Sequence, residues 1–146
     1  MSEMLSSAET DVIVAYRLVG LIGGEVDEDL PTPSQIGHPW LSAGTSSVLL
    51  QSAEDIGQAQ FRFELWDGAP PQLGADWPHS EVVTLVLTDG GLNVDQIDAG
   101  SVHDVFDVGE PGRYRVRLAW READWDPMAE GPQAWLLAQF WREIMP

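Results

Sequence analysis

The segment 59–66 reads Ala59-Gln60-Phe61-Arg62-Phe63-Glu64-Leu65-Trp66. Phe61, Phe63 and Leu65 alternate with Gln60, Arg62 and Glu64, a period of two that puts the apolar side chains on one face of a β-strand and the polar ones on the other. The segment 113–120 (RYRVRLAW) repeats the pattern, with Tyr114, Val116, Leu118 and Trp120 on one face and Arg113, Arg115 and Arg117 on the other. These two strands set the reading of what surrounds them.

Strand signals recur at short intervals in both directions. The run 12–22 (VIVAYRLVGLI) closes on Gly23-Gly24 and reads as a long first strand, or one bulged at Gly20. The run 47–52 (SVLLQS) is a short apolar strand. The runs 81–87 (EVVTLVL) and 92–97 (LNVDQI) flank Asp89-Gly90-Gly91, where glycine supplies the positive φ of a tight turn, so the pair reads as a hairpin. The run 102–108 (VHDVFDV) alternates weakly, and Glu110-Pro111-Gly112 is a further turn. The run 134–141 (AWLLAQFW) admits a strand or a short helix; its aromatic content and all-β surroundings favour a strand. Seven to eight short strands separated by turn signals give an all-β fold, a single-domain antiparallel β-sandwich over 1–146, of jelly-roll or immunoglobulin-like type. Two Pro/Gly-rich stretches, 25–44 and 67–79, read as long loops.

The chain has 146 residues, 44% of them apolar, enough to bury a core without a metal or disulfide and unlike an acidic disordered tail. It has no cysteine, which excludes disulfides, thiol nucleophiles and Cys-ligated zinc or iron–sulfur sites. The start 1–11 is polar and acidic, the opposite of a basic signal-peptide n-region, and 12–22 is too short to span a bilayer and is broken by Arg17. Cytoplasmic residence is the expectation.

Charge carries most of the functional content. There are 24 acidic residues against 7 basic ones, all arginine, for a net charge of −17. Solubility of a small domain needs a magnitude of only about 2–8. Such a field repels phosphate backbones and anionic membranes and steers basic partners inward. Two clusters concentrate it: Glu25, Asp27, Glu28 and Asp29 beside a Pro-rich loop, and Glu122, Asp124 and Asp126 around Trp125. One reading makes them the contact surface for a basic protein, with Trp125 as the aromatic anchor. The other makes them solvated acidic loops.

No catalytic, cofactor-binding or metal-ligating residue is assigned. Asp27 and Asp29 are followed by Pro31 and lack the glycine and distal glutamate of a calcium loop. His38, His79 and His103 stand in separate contexts without HExxH spacing, and no GxSxG is present. The absence of lysine rules out a phosphate-binding GxxxxGK[ST]. The stripe Arg113, Arg115, Arg117 either binds phosphate or cross-pairs with carboxylates such as Glu64 or Asp95; the acidic field favours pairing. Tyr114, Trp120, Trp135, Phe140 and Trp141 read as core, whereas Trp40, Trp66, Trp77 and Trp125 read as exposed anchors.

The segments Pro111-Gly112-Arg113-Tyr114-Arg115-Val116-Arg117 and Gln133-Ala134-Trp135-Leu136-Leu137-Ala138-Gln139-Phe140-Trp141, with Trp66-Asp67 before a Pro loop, resemble a family of small acidic β-sandwich proteins common in actinobacteria, mostly of unknown function. More distantly, the whole chain is similar to competence-associated nuclease-inhibitor and immunity-type sandwiches. That resemblance implies a non-enzymatic acidic protein that binds a basic nuclease or other nucleic-acid-binding protein, without touching nucleic acid or membrane itself. A small-ligand or carbohydrate-binding module using the loop tryptophans, and a structural or assembly subunit, are the rival expectations.

Overall fold

The computed structural model describes residues 2–14, 17–23, 40–52, 57–96, 100–123, 128 and 130–143. Among them are ten strands and no helix: β1 (Met4–Val14), β2 (Leu18–Gly23), β3 (Leu41–Ala43), β4 (Ser47–Gln51), β5 (Gly57–Trp66), β6 (His79–Leu87), β7 (Gly91–Asp95), β8 (Ser101–Asp107), β9 (Gly112–Glu122) and β10 (Ala134–Arg142). They form two five-stranded sheets, ordered β1-β5-β10-β9-β6 and β3-β4-β2-β7-β8. No helix of the described residues is long and apolar enough to cross a membrane.

The alternation read from β5 and β9 is what joins the sheets. Phe61, Phe63, Tyr114, Val116, Leu118 and Trp120 all point inward and are buried. They meet Leu21, Val48, Leu50, Leu92, Val94 and Phe106 of the second sheet in one apolar cluster. Phe106 bridges the layers: its ring stacks on Phe63 at 5.6 Å and tilts against Phe140 at 6.1 Å. Offset aromatic contacts of this kind add about 0.5–1.5 kcal/mol beyond area burial.

Three sequence expectations change. The run 12–22 is not one strand: β1 lies in the first sheet and β2 in the second, with Arg17 at a positive φ of 64° in the turn between them. β1 begins at Met4 and is exposed over its first half, so it shows little apolar patterning there; the division of 12–22 between two strands and the presence of β3 inside the stretch 25–44, expected as a loop, raise the count from seven or eight to ten. β2 pairs with β4 in unbroken register through Gly20, so no bulge forms there.

The second change concerns Asp89-Gly90-Gly91. β6 pairs with β9 and β7 with β2 and β8, so this turn crosses from one sheet to the other and does not close a hairpin. Leu85 and Leu87 on one side and Leu92 and Val94 on the other are all buried between the layers, and the residues linking them span the roughly 10 Å sheet separation. Gly90 has a φ of +83°, the Asp89 carboxylate accepts the Gly91 N–H at 2.9 Å, and Val108 N–H donates to the Gly90 carbonyl at 2.9 Å. The third change is direction. Every other pairing is antiparallel, but β10 runs parallel to β5.

A second crossing, from β8 to β9, is pinned by Tyr114, whose hydroxyl donates to the Glu110 carbonyl at 2.7 Å. This tyrosine corner ties the turn to the strand that follows it. Burial pushes the Tyr114 phenol up from its usual range, so it stays a donor. Tyr114→Phe is expected to lower unfolding free energy by about 1 kcal/mol with an unchanged denaturant slope. Urea unfolding followed by tryptophan fluorescence measures it, and an unshifted midpoint would show that the corner bond contributes nothing.

Candidate functional site

Seven of the eight residues expected to contact a partner, Glu25, Asp27, Glu28, Asp29, Asp124, Trp125 and Asp126, lie outside the described residues. The eighth, Glu122, ends β9, is half-buried, and accepts the Trp120 indole N–H at 3.0 Å. The attachment points of the two clusters are nevertheless fixed. Gly23 packs on Leu87 and Ser46, its N–H donating to the Ser46 carbonyl at 2.7 Å. Glu122 pairs with Ala134, next to the Trp120–His79 pair. The clusters are thus attached at opposite ends of β6, which is about 26 Å long for nine residues.

The Gly23 end carries further charge. Asp89, Asp104 and Asp107 are exposed around the Gly90 corner, with the Asp107 carboxylate 3.2 Å from where a Cβ on Gly90 would lie. Among the described residues no group of three or more His, Asp or Glu is placed to hold a metal ion.

The outer face of the first sheet holds a connected polar network. Register sets it out in rows: Glu9 opposite Arg62, Arg62 opposite Leu137, Gln60 opposite Trp135, and Trp135 opposite Arg121. At its centre Glu64 is buried, at 8% exposure. Its carboxylate accepts from Arg62 Nε at 2.7 Å, Trp66 Nε1 at 2.9 Å and Gln139 Nε2 at 2.9 Å. Arg62 also donates to Glu9 at 2.9 Å. The Gln139 carbonyl accepts from Arg117 Nε at 2.8 Å, and Arg117 reaches the Pro71 carbonyl at 2.5 Å, which ties the 67–78 loop to the sheet. Burial pushes the Glu64 carboxyl up, but the three donated hydrogen bonds and the Arg62 charge outweigh it and hold it below the usual range. The Glu64 hydrogen bond, partly offset by burial, raises Arg62. Arg117 is pulled down by burial, against the opposing Glu64 charge.

Beside this network lies a groove of about 250 Å³, walled by Trp77, Trp135, Leu137, Arg121, Arg62 and Glu64 among others. The Arg121 guanidinium sits 4.8 Å from the Trp77 ring centroid and 5.1 Å from that of Trp135. Each contact is a cation–π interaction worth about 0.5–2 kcal/mol, depending on desolvation. Trp135 faces Arg121 across the β9–β10 pair, and Trp77 reaches it from the residues leading into β6.

The aromatic assignments sort differently from the sequence expectation. Trp40, read as an exposed anchor, is buried in the core and its ring lies 5.9 Å from His79. Trp66 is half-buried on Glu64, and Trp125 lies outside the described residues. Trp77 alone of the four lines the groove. Tyr114, Trp120 and Phe140 are core as expected, but Trp135 and Trp141 face outward, half-buried, because odd positions of β10 point away from the second sheet. The arginine stripe does pair across strands, with different partners from those expected: Arg113 and Arg115 flank Glu143 at 3.7 and 3.6 Å, and Arg117 takes Gln139. Asp95 is out of reach in the second sheet. Arg121 was missed, although the stripe's own period of two extends to it.

No family model matches the chain, and no curated protein does. Solved structures that share its architecture include ComJ from Bacillus subtilis, inhibitor of the DNA-degrading activity of NucA. It matches with a TM-score of 0.71 at 11% identity, over 98% of this chain and 99% of its own. Crocagin biosynthetic gene J matches with a TM-score of 0.60 at 21% identity, over 99% of both chains. This chain has the fold of ComJ. The expected likeness to nuclease-inhibitor sandwiches is borne out at the level of the fold.

Glu64 yields a pH signature. Its folded pKa is depressed, so its contribution to stability is present above the ordinary glutamate pKa of about 4.3 and is lost as pH falls through the lower folded value. Glu64→Gln is expected to cost about 1.5–3 kcal/mol at pH 7, the worth of hydrogen bonds to a charged group. The difference from wild type should shrink steadily below pH 4 in urea titrations. A difference that stays constant down to pH 2.5 would contradict the assignment.

Proposed function

We propose that this chain is a non-enzymatic acidic binding protein that occupies the cationic surface on which a basic nuclease, or another nucleic-acid-binding protein, holds phosphates. The observation that carries the reading is a net charge of −17 on the fold of an inhibitor of a DNA-degrading activity. Carboxylates stand in for phosphates, and the long-range field draws the basic partner in before contact. The exposed Asp89, Asp104 and Asp107 at the Gly23 end favour that end as the contact surface, since the Glu25, Asp27, Glu28 and Asp29 cluster follows directly from Gly23. Glu122, Asp124 and Asp126, with Trp125 as anchor, would add a second contact from the opposite end on a partner large enough to span the sandwich.

The test is retention of host-lysate proteins on the immobilised chain at low salt, followed by salt steps. A basic, DNA-degrading protein should elute at moderate salt, and adding the free chain back should suppress its activity. Neutralising Glu25, Asp27, Glu28 and Asp29 together should weaken that complex about tenfold or more at low salt and progressively less as salt screens the field. Retention that ignores both salt and the neutralised cluster would contradict the mechanism.

A further inference from the structure

We propose that the groove beside Arg121 is a binding site for a small monocarboxylate with a flat apolar body. The inference does not rest on the nuclease reading and concerns the outer face of the first sheet.

The described cations of the first sheet differ in one respect. Arg62 is committed to Glu64 and Glu9, and Arg117 to Gln139 and the Pro71 carbonyl. Arg113 and Arg115 share Glu143, and Arg142 pairs with Glu110. Arg121 touches two indole rings, has no ion pair among the described residues, and its Nε is buried without a hydrogen-bond partner. In a chain this rich in carboxylates, an arginine with no carboxylate partner among the described residues is unexpected, because a desolvated donor left unmatched is destabilising. The indoles hold the guanidinium in place and supply no acceptor oxygen. Among the described residues the site lacks an anion.

The surroundings narrow its class. A guanidinium presents a planar fork that matches the two oxygens of a carboxylate. Glu9 and Glu64 also line the groove, and the whole chain is strongly negative, so a dianion or polyanion is repelled where a single charge is tolerated. Trp77, Trp135 and Leu137 offer flat and apolar surface for the rest of the ligand. At about 250 Å³ the groove lies just under the range of roughly 300–1,000 Å³ typical of drug-sized ligands, which sets the scale at a single ring or a short chain.

The experiment titrates the ¹⁵N-labelled full chain with phenylacetate and, in parallel, with phenylacetamide, its neutral isostere. The indole N–H signals of Trp77 and Trp135 and the Nε–H signal of Arg121 are followed. Phenylacetate should shift these three signals saturably, and the amide should bind about tenfold or more weakly, because it leaves the guanidinium unmatched. Arg121→Gln should abolish the preference for acid over amide. Arg121→Lys, which keeps the charge but loses the fork, should reduce it, and Arg142→Gln at the far end of β10 should leave it intact. Equal binding of acid and amide, no saturable shift up to about 10 mM, or a preference that survives Arg121→Gln would each overturn the proposal.

Discussion

The insertion of β10 between β5 and β9 is the constraint on which the rest of the first sheet depends. β10 is parallel to β5 and antiparallel to β9, and it is covered on both faces. Leu136, Ala138 and Phe140 pack into the core, while Leu137 and Gln139 are buried on the outer side. A polar side chain in that second position must have its hydrogen bonds satisfied or it destabilises the strand. Gln139 is satisfied on both sides, donating to Glu64 of β5 and accepting from Arg117 of β9. One amide therefore locks the register of three strands, since a slip of one residue would turn Gln139 into the core and Phe140 out of it.

The same double burial explains what the sequence showed clearly and what it did not. β5 and β9 were legible because their inner faces are apolar and their outer faces polar, so alternation survives in the letters. β10 reads as a nearly continuous apolar run, the expected pattern for a strand covered on both sides, and periodicity alone does not separate that from a buried helix. β1 hid for the opposite reason, being an edge strand exposed over its first half. The Asp89-Gly90-Gly91 turn was recognised, but local chemistry specifies the bend and not which sheet receives the next strand. That choice is made by distant partners, β9 for β6 and β2 for β7.

Site residues follow the same division. Glu64 and Arg62 stand out as polar positions of an alternating strand, but the buried hub they form needs Gln139, 75 positions away. Arg121 lay within reach of sequence reasoning, two steps beyond Arg117 on the same face with Ala119 between. Trp77 was expected as an exposed anchor and does line the groove, but its contact with Arg121 was not legible, because only the fold brings the end of a Pro/Gly loop onto that arginine. Composition made the net charge evident at once. Topology adds that the residues from which the two acidic clusters depart, Gly23 and Glu122, lie at opposite ends of β6.

The Gly23 end gathers exposed aspartates where the first cluster leaves the second sheet, and the opposite end holds an arginine between two indoles above a small groove. On the proposed function, carboxylates of this chain take the place of phosphates on a basic partner. That replacement is tested most directly by fluorescence anisotropy of a labelled DNA duplex bound to the purified partner, with this chain added at constant ionic strength. The account predicts competitive release of the DNA, with an apparent affinity that falls in proportion to DNA concentration. A ternary complex in which the DNA stays bound as the chain saturates its partner would contradict it.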